Sequence, residues 1–362
     1  MRFVFDCRYT RIGRHDGISR YTAGVVGAFG ALHPVTMLIS DERQLANLPD
    51  LPWIMGTDPT SFREPWVAGI VNRAKPDVVF SPMQTMGSVG RKYRLILTLH
   101  DLIYYHNPTP PRDLPWPIRL GWRLYHLAYW PQRLVLNRAD AVVTGTSAAL
   151  DQIVEHRLTR RPITVVSSAV DPPERLRGPE REKTIVYMGS FMPYKNVETV
   201  ARAMHLLPGY RLQLLSRIGD RDRARFTALA PEGSIEFRNG VTDEEYQDLL
   251  ARATALVSAS LEEGFGIPLI EALAVGTPVV CSDIPVFREV GGNASVYFDP
   301  HDPADVARAI TSLESPGEWE RLSALAPAQA AKFTWETSAK QLLALALSLA
   351  GESESAPGGR IS

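Results

Sequence analysis

The feature that most constrains this sequence is an alternation that runs through it twice. Short, β-prone apolar runs at Arg2 to Arg8, Pro34 to Ile39, Asp77 to Phe80, Arg94 to Leu99 and Ala141 to Thr144 are separated by loops and by helical spacing such as Ser19 to Leu32. That order predicts a parallel sheet with helices on both faces. A polar, proline-rich and charged segment from Asp171 through Glu182 then breaks the pattern, as interdomain linkers do. Beyond it, strands are expected at Lys183 to Met188, Tyr210 to Leu215, Ala255 to Ser258, Pro278 to Cys281 and Ser295 to Phe298. Helices are expected at Val197 to Leu206, Glu244 to Ala253, Pro268 to Ala274 and Pro303 to Leu313. The 362 residues accommodate two such units at about 150 residues per domain. The expected organisation is therefore an α/β domain over 1–170, a linker over 171–182 and a second α/β domain over 183–334. A last helix, about 335–350, is apolar enough to pack back on the first domain, and the Ser- and Gly-rich tail over 352–362 is expected to be disordered.

Composition narrows the function. Thirty-nine basic against forty acidic residues leave a formal charge of −1, so no global field favours nucleic acid. Two cysteines, Cys7 and Cys281, cannot build a disulfide framework or a four-thiolate zinc site, and a reducing cytoplasm is the expected compartment. The first residues meet Asp6 too early for the apolar core of a signal peptide. Tyr21 to Ser40 is uncharged and long enough to span a bilayer, but three glycines and the His33-Pro34 break read as a helix followed by a strand.

Open parallel sheets bind ligands beyond the carboxyl ends of their strands, where helix N-termini favour anions. Two such sheets facing a common cleft would suit a phosphate-bearing substrate. The segment Leu261 to Asp283 is the most informative one in that position. Gly264 and Gly266 permit close backbone approach, and Pro268 suits a first helical turn. Glu263 then precedes the helix, and Glu271 lies within its first turns. Carboxylates at those places suit hydroxyl groups of a ribose or a pyranose, and the amides of Gly264 to Ile267 suit a phosphate or sugar oxygen. The plainer reading is a carboxylate at a helix dipole and a solvated surface glutamate.

This segment resembles the carboxyl-terminal signature of family-4-type retaining glycosyltransferases of the GT-B fold, a pair of Rossmann-like α/β domains facing a cleft. The likeness covers most of the chain. Gly189-Ser190-Phe191-Met192-Pro193-Tyr194-Lys195-Asn196 resembles the loop whose basic residues hold the donor diphosphate, and His100-Asp101-Leu102 resembles a turn of the first domain. Arg138 through Thr144 with Ser147 matches the segment leading into that domain's last strands, and Asp16-Gly17-Ile18-Ser19-Arg20-Tyr21 takes the place of its glycine-rich loop.

The resemblance implies that Glu271 binds the ribose, Glu263 a donor-sugar hydroxyl near the leaving group, and Lys195 the diphosphate. It further implies that Gly264, Phe265, Gly266 and Ile267 orient the sugar, that Gly17 approaches the phosphates, and that His100 faces the transferred sugar. Catalytic roles thus fall to His100, Lys195 and Glu263. Many relatives carry Arg where this chain has Ser190, which removes half of a cationic clamp that a lone Lys cannot replace bidentately. Arg217, from a neighbouring loop, is the candidate substitute. The expected donor is GDP-mannose, the acceptor a glycan or lipid-linked hydroxyl, and the route front-face attack on a short-lived ion pair with retention of configuration. No metal or cofactor is required by that scheme. Asp220 and Asp222 form an Asp-x-Asp triplet, read here as a solvated helix start among arginines.

The stretch 114–139 holds Arg119, Arg123, Arg133 and Arg138 with Trp116, Trp122 and Trp130, and no acidic residue. It reads either as an interfacial helix on anionic lipid at the inner face of the membrane or as a domain helix whose tryptophans enter the core. A dinucleotide-dependent oxidoreductase is disfavoured, since Gly13 and Gly17 do not give the Gly-x-Gly-x-x-Gly spacing. A non-catalytic sugar-nucleotide-binding protein and a GT-B epimerase remain the alternatives.

Overall fold

The computed structural model describes residues 1–13, 16–109, 116–173 and 176–351. The tail 352–362, Glu174 and Arg175 of the expected linker, and Leu114 and Pro115 of the basic stretch lie outside the described residues. The chain divides into two units, Met1–Ala169 with the described part of Thr334–Ser362, and Val170–Phe333.

The first unit is a seven-stranded parallel sheet: β1 (Phe3–Asp6), β2 (Val35–Ile39), β3 (Trp53–Met55), β4 (Val78–Ser81), β5 (Arg94–Thr98), β6 (Ala141–Thr144) and β7 (Ile163–Val165). Their order is β3-β2-β1-β4-β5-β6-β7, with Phe3 opposite Val35 on one side and Val78 on the other. Strand alternation splits the apolar residues between two faces. Phe3, Phe5, Met37, Phe80 and Ile96 pack under the helices Gly17–Leu32 and Trp335–Ala350. Val4, Leu38, Val79 and Leu95 meet Val67, Ala68 and Val71 on the opposite face. The uncharged stretch after Tyr21 is thus a helix and then β2, and among the described residues no helix is long and apolar enough to cross a membrane.

The second unit repeats the plan with β8 (Thr184–Tyr187), β9 (Arg211–Leu214), β10 (Ile235–Phe237), β11 (Ala255–Ser258), β12 (Val279–Ser282) and β13 (Ser295–Phe298), in the order β10-β9-β8-β11-β12-β13. All of its pairings are parallel. In each sheet the first strand lies inside, and the chain winds outward from it in both directions. The reversal points, between β1 and β4 and between β8 and β11, are where consecutive loops diverge and leave room for a ligand.

Three strands carry no sequence signal: β3, β7 and β10. Each is three residues long, lies at a sheet edge and buries none of its side chains fully, so none needs the apolar run by which the inner strands are recognised.

The last helix seats Trp335 on the first one. A Cβ at Gly24 would lie 2.3 Å from the Trp335 ring, and Ser338 donates to the Ser167 carbonyl at 2.7 Å. In an open helix Gly→Ala stabilises by about 0.5–1 kcal/mol. Here the added methyl must displace an indole, and overpacking costs about 1–3 kcal/mol. Gly24→Ala is therefore expected to lower the thermal midpoint, measured by circular dichroism; an unchanged or raised midpoint would contradict this packing.

Candidate functional site

The loops leaving β8 and β11 meet at the reversal point of the second sheet. After β8 the chain turns through Gly189 to the short 3-10 turn Pro193–Lys195. Asn196 follows in the left-handed region at φ 51°, held by its donation to the Pro300 carbonyl at 2.6 Å and by acceptance from Thr199 Oγ1 at 2.8 Å. That closed turn fixes the direction in which Lys195 leaves the backbone. After β11 the Leu261 N–H donates to the Tyr194 carbonyl at 2.8 Å, which ties the two loops together. Across this tie Lys195 Nζ donates to Glu263 Oε1 at 2.5 Å, both side chains being more than four-fifths buried. Ser260 Oγ, wholly buried, donates to the same oxygen at 2.8 Å. The structure thus brings together two of the four charged residues expected at the donor site, Lys195 and Glu263.

Glu271 lies one loop and one turn further on. The helix Ile267–Val275 begins after Gly266, whose φ of 91° favours glycine and where a Cβ would stand 2.9 Å from the Phe287 ring. Glu263 precedes that helix by four residues and Glu271 is four residues into it, about 6 Å along the axis at ~1.5 Å per residue. Phe265 is buried with its ring edge-on to Phe333 at 5.4 Å. The backbone N–H groups of Phe265 and Gly266 have no partner among the described residues, so they remain available beside the helix N-terminus.

The remaining expected residues lie around this centre or in the other unit. Ser190 is exposed, and its carbonyl accepts from Tyr187 Oη at 2.6 Å. Arg217 follows β9, the neighbour of β8, packs its Cγ and Nε beside Gly240, and has no ion pair among the described residues. Among the described residues no hydrogen bond or ion pair joins it to Lys195. Asp220 and Asp222 open the helix Asp220–Thr227, where Asp222 pairs with Arg225 at 3.1 Å. In the first unit Gly17 begins the helix Gly17–Leu32, whose Asp16 cap accepts from the Ser19 N–H at 2.9 Å. His100 stands at the carboxyl end of β5, its Nε2 2.8 Å from the Pro82 carbonyl and its ring edge-on to Tyr21 at 5.1 Å.

One constellation escapes sequence reading. At the reversal point of the first sheet Arg8 is buried between Asp6, at 2.8 Å, and Glu64, at 2.6 Å. Its two forked nitrogens also reach the Thr57 carbonyl and the second oxygen of each carboxylate. Burial opposes the charge of Arg8, but Asp6 and Glu64 outweigh it and hold the guanidinium pKa above its ordinary value. Asp6 and Arg8 lie two apart at a strand end, a detectable signal; Glu64 arrives from a distant loop and gives none.

Two family models match the chain in succession, "Glycosyltransferase Family 4" over residues 15–174 and "Glycosyl transferases group 1" over 172–328. The chain belongs to the family-4-type glycosyltransferases of the GT-B fold. It resembles the O-antigen chain mannosyltransferase RfbU of Salmonella typhimurium, at 30% identity over 50% of this chain and 53% of that protein. It is 35% identical to the O-antigen chain mannosyltransferase B of Escherichia coli over 44% of each. The chain spans about half the length of these curated relatives. In fold the chain is similar to sucrose-phosphate synthase from Thermosynechococcus elongatus, with a TM-score of 0.73 and 18% identity over 98% of this chain and 100% of that one. The Anabaena protein HepE, solved in complex with UDP-glucose, gives 0.72 and 16% over 96% and 100%.

Surrounding protein disfavours the His100 imidazolium more than the Pro82 carbonyl supports it, so the pKa lies below the ordinary histidine value. The unfolded chain then binds the proton more readily. Stability from this source is complete above about pH 6.5 and is lost as pH falls through the folded pKa. Urea unfolding between about pH 7 and pH 5 is expected to show a shallower loss of stability in His100→Asn than in the wild type. Equal slopes would contradict the partial desolvation of this ring.

Proposed function

We propose that this glycosyltransferase moves a hexose, with mannose the expected sugar, from a nucleoside diphosphate donor to a hydroxyl of a glycan or lipid-linked acceptor, with retention of configuration and without a metal. GDP-mannose is the expected donor, and the reducing cytoplasm the expected compartment. The observation that carries the reading is the Lys195–Glu263 pair at the reversal point of the second sheet. Support for mannose comes from relatives such as RfbU, named as a mannosyltransferase. Support for a nucleotide sugar comes from HepE, which was solved with UDP-glucose.

In this reading the bond between the anomeric carbon and the diphosphate breaks as the sugar becomes oxocarbenium-like, and negative charge collects on the leaving group. Lys195 meets that charge. An ammonium has three donors, and only one is taken by Glu263, so Nζ can hold a phosphate oxygen before the carboxylate lets go. Glu263 accepts a hydroxyl of the sugar, while the N–H groups of Phe265 and Gly266, with Gly264 and Ile267, orient the ring. Glu271 takes the ribose diol, Arg217 adds the charge that Ser190 cannot supply, Gly17 admits the phosphates and His100 faces the sugar. Stabilisation of developing charge by fixed donors is the main catalytic effect. The acceptor oxygen attacks from the face the diphosphate leaves, and its proton passes to the departing diphosphate oxygen on that same face.

Two measurements test this. In a thermal-shift panel GDP is expected to raise the midpoint more than UDP or ADP, because a ligand at 100 times its Kd stabilises by about 2.7 kcal/mol. Greater stabilisation by UDP would overturn the choice of donor. Glu263→Gln is expected to keep nucleotide binding and lose about 100-fold or more in kcat in a donor-hydrolysis or transfer assay. Undiminished turnover would remove the role given to Glu263, and binding without turnover in the wild type would make the chain a sugar-nucleotide-binding protein.

A further inference from the structure

Inner strands of a parallel sheet are buried on both faces and favour apolar residues, yet β11 and β12 each end in a serine at the carboxyl edge of the second sheet. Ser258 closes β11 and Ser282 closes β12, and with Ser260 all three are buried. A buried hydroxyl needs a partner, and here the partners form a chain that ends on Glu263. Ser260 Oγ donates to Glu263 Oε1 at 2.8 Å, and Ser258 Oγ lies 3.3 Å from Ser260 Oγ. A hydroxyl carries one hydrogen. That of Ser260 is spent on the carboxylate, so Ser258 supplies the hydrogen between the two serines. Ser282 Oγ donates in turn to the Ser258 carbonyl at 3.4 Å, which ties the end of β11 to its neighbour. The chain therefore has one direction, from Ser258 through Ser260 to Glu263.

The two oxygens of Glu263 are treated unequally. Oε1 accepts from both Lys195 and Ser260, whereas Oε2 has no hydrogen bond among the described residues. The two holds on Oε1 differ in what can move them. Lys195 is a long side chain on the short turn after β8, and its ammonium has two further donors to offer elsewhere. The Ser260 hydroxyl stands on a short stem, wholly buried, two residues beyond the end of β11. When the ammonium turns to a phosphate, the serine is the hold that stays. Without it the carboxylate, on a flexible stem, is free to follow the ammonium or to swing away from the sugar.

We propose that Ser260 is a positioning residue. It keeps Glu263 Oε1 in place while Lys195 engages the diphosphate, so that Oε2 remains the oxygen offered to the transferred sugar, and Ser258 orients the hydroxyl that does this. The proposal rests on the reaction proposed above and divides the work within it. Ser260→Ala removes the donor, and Ser260→Cys keeps most of the volume with only a weak donor. Both are assayed beside Ser258→Ala and Glu263→Ala with whichever of GDP-mannose, UDP-glucose and ADP-glucose the wild type hydrolyses fastest. The two Ser260 variants are expected to lose about tenfold or more in kcat with KM within about twofold of the wild type. They are expected to keep the wild-type circular dichroism and the thermal shift induced by the matching nucleoside diphosphate. Ser258→Ala is expected to fall between them and the wild type. Added to Glu263→Ala, the Ser260→Ala change is expected to cost less than about twofold more, since the hydroxyl acts through the carboxylate; Glu263→Gln serves as the background where Glu263→Ala does not fold. The inference is overturned if either Ser260 variant keeps the wild-type kcat while Glu263→Ala loses it, or if Ser260→Ala costs the same with and without the carboxylate. It is also overturned if the loss falls on KM and the thermal shift instead of kcat. Undiminished turnover in Glu263→Ala, or turnover of none of the three donors by the wild type, would remove the underlying reaction and the inference with it.

Discussion

Lys195 and Glu263 hold each other at 2.5 Å where β8 and β11 part, and the geometry of the proposed donor site depends on that contact. Neither group is well placed alone. Two unit charges 4 Å apart interact by about 4 kcal/mol at an effective dielectric near 20, and removing one partner of a desolvated pair leaves the other uncompensated. The pair thus keeps both side chains extended toward the reversal point while Ser260 holds the carboxylate from beneath. In the proposed reaction a diphosphate arriving there would give the ammonium a stronger counter-charge than Glu263. The cost of desolvating the ammonium has by then already been met within the fold.

The first unit has an ion cluster at the same topological position, and its chemistry differs. Arg8 has five N–H donors, and its bonds to Asp6, Glu64 and the Thr57 carbonyl account for every one of them. It is buried and saturated, so it has nothing left to offer a ligand. Its work is to fasten the loop after β1 to the segment around Glu64, which itself accepts from the Gly87 N–H at 3.0 Å. Lys195 retains two donors and an opening to solvent. Free donor capacity, more than charge, separates the proposed binding residue from the saturated one at these two reversal points.

Most of the architecture was legible because inner parallel strands are buried on both faces and read as apolar runs. The inner strands β6 and β11 fall on the residues expected of them, and so does the four-residue edge strand β13. The helix at 267 was legible from Gly266, Pro268 and the apolar residues between them and Gly276. The three-residue edge strands β3, β7 and β10 were not, since they bury no side chain fully and need no such pattern. The approach of Lys195 to Glu263 was inferred through family resemblance; nothing local in a Tyr-Lys-Asn turn points to a carboxylate 68 positions away. Ser260 and the Asp6–Arg8–Glu64 cluster were missed for the same reason, because long-range polar contacts leave no periodicity. Trp116 and Trp130 are exposed, an outcome undecided by sequence, where a core stripe and a surface stripe have the same spacing.

The central claim is that the ammonium at 195 and the carboxylate at 263 grip one donor molecule. A crystal structure of the chain soaked with GDP tests it most directly. The account predicts a diphosphate oxygen about 3 Å from Lys195 Nζ, with Glu263 facing the space beyond the terminal phosphate. A diphosphate bound away from Lys195, with the ion pair to Glu263 undisturbed, would contradict it.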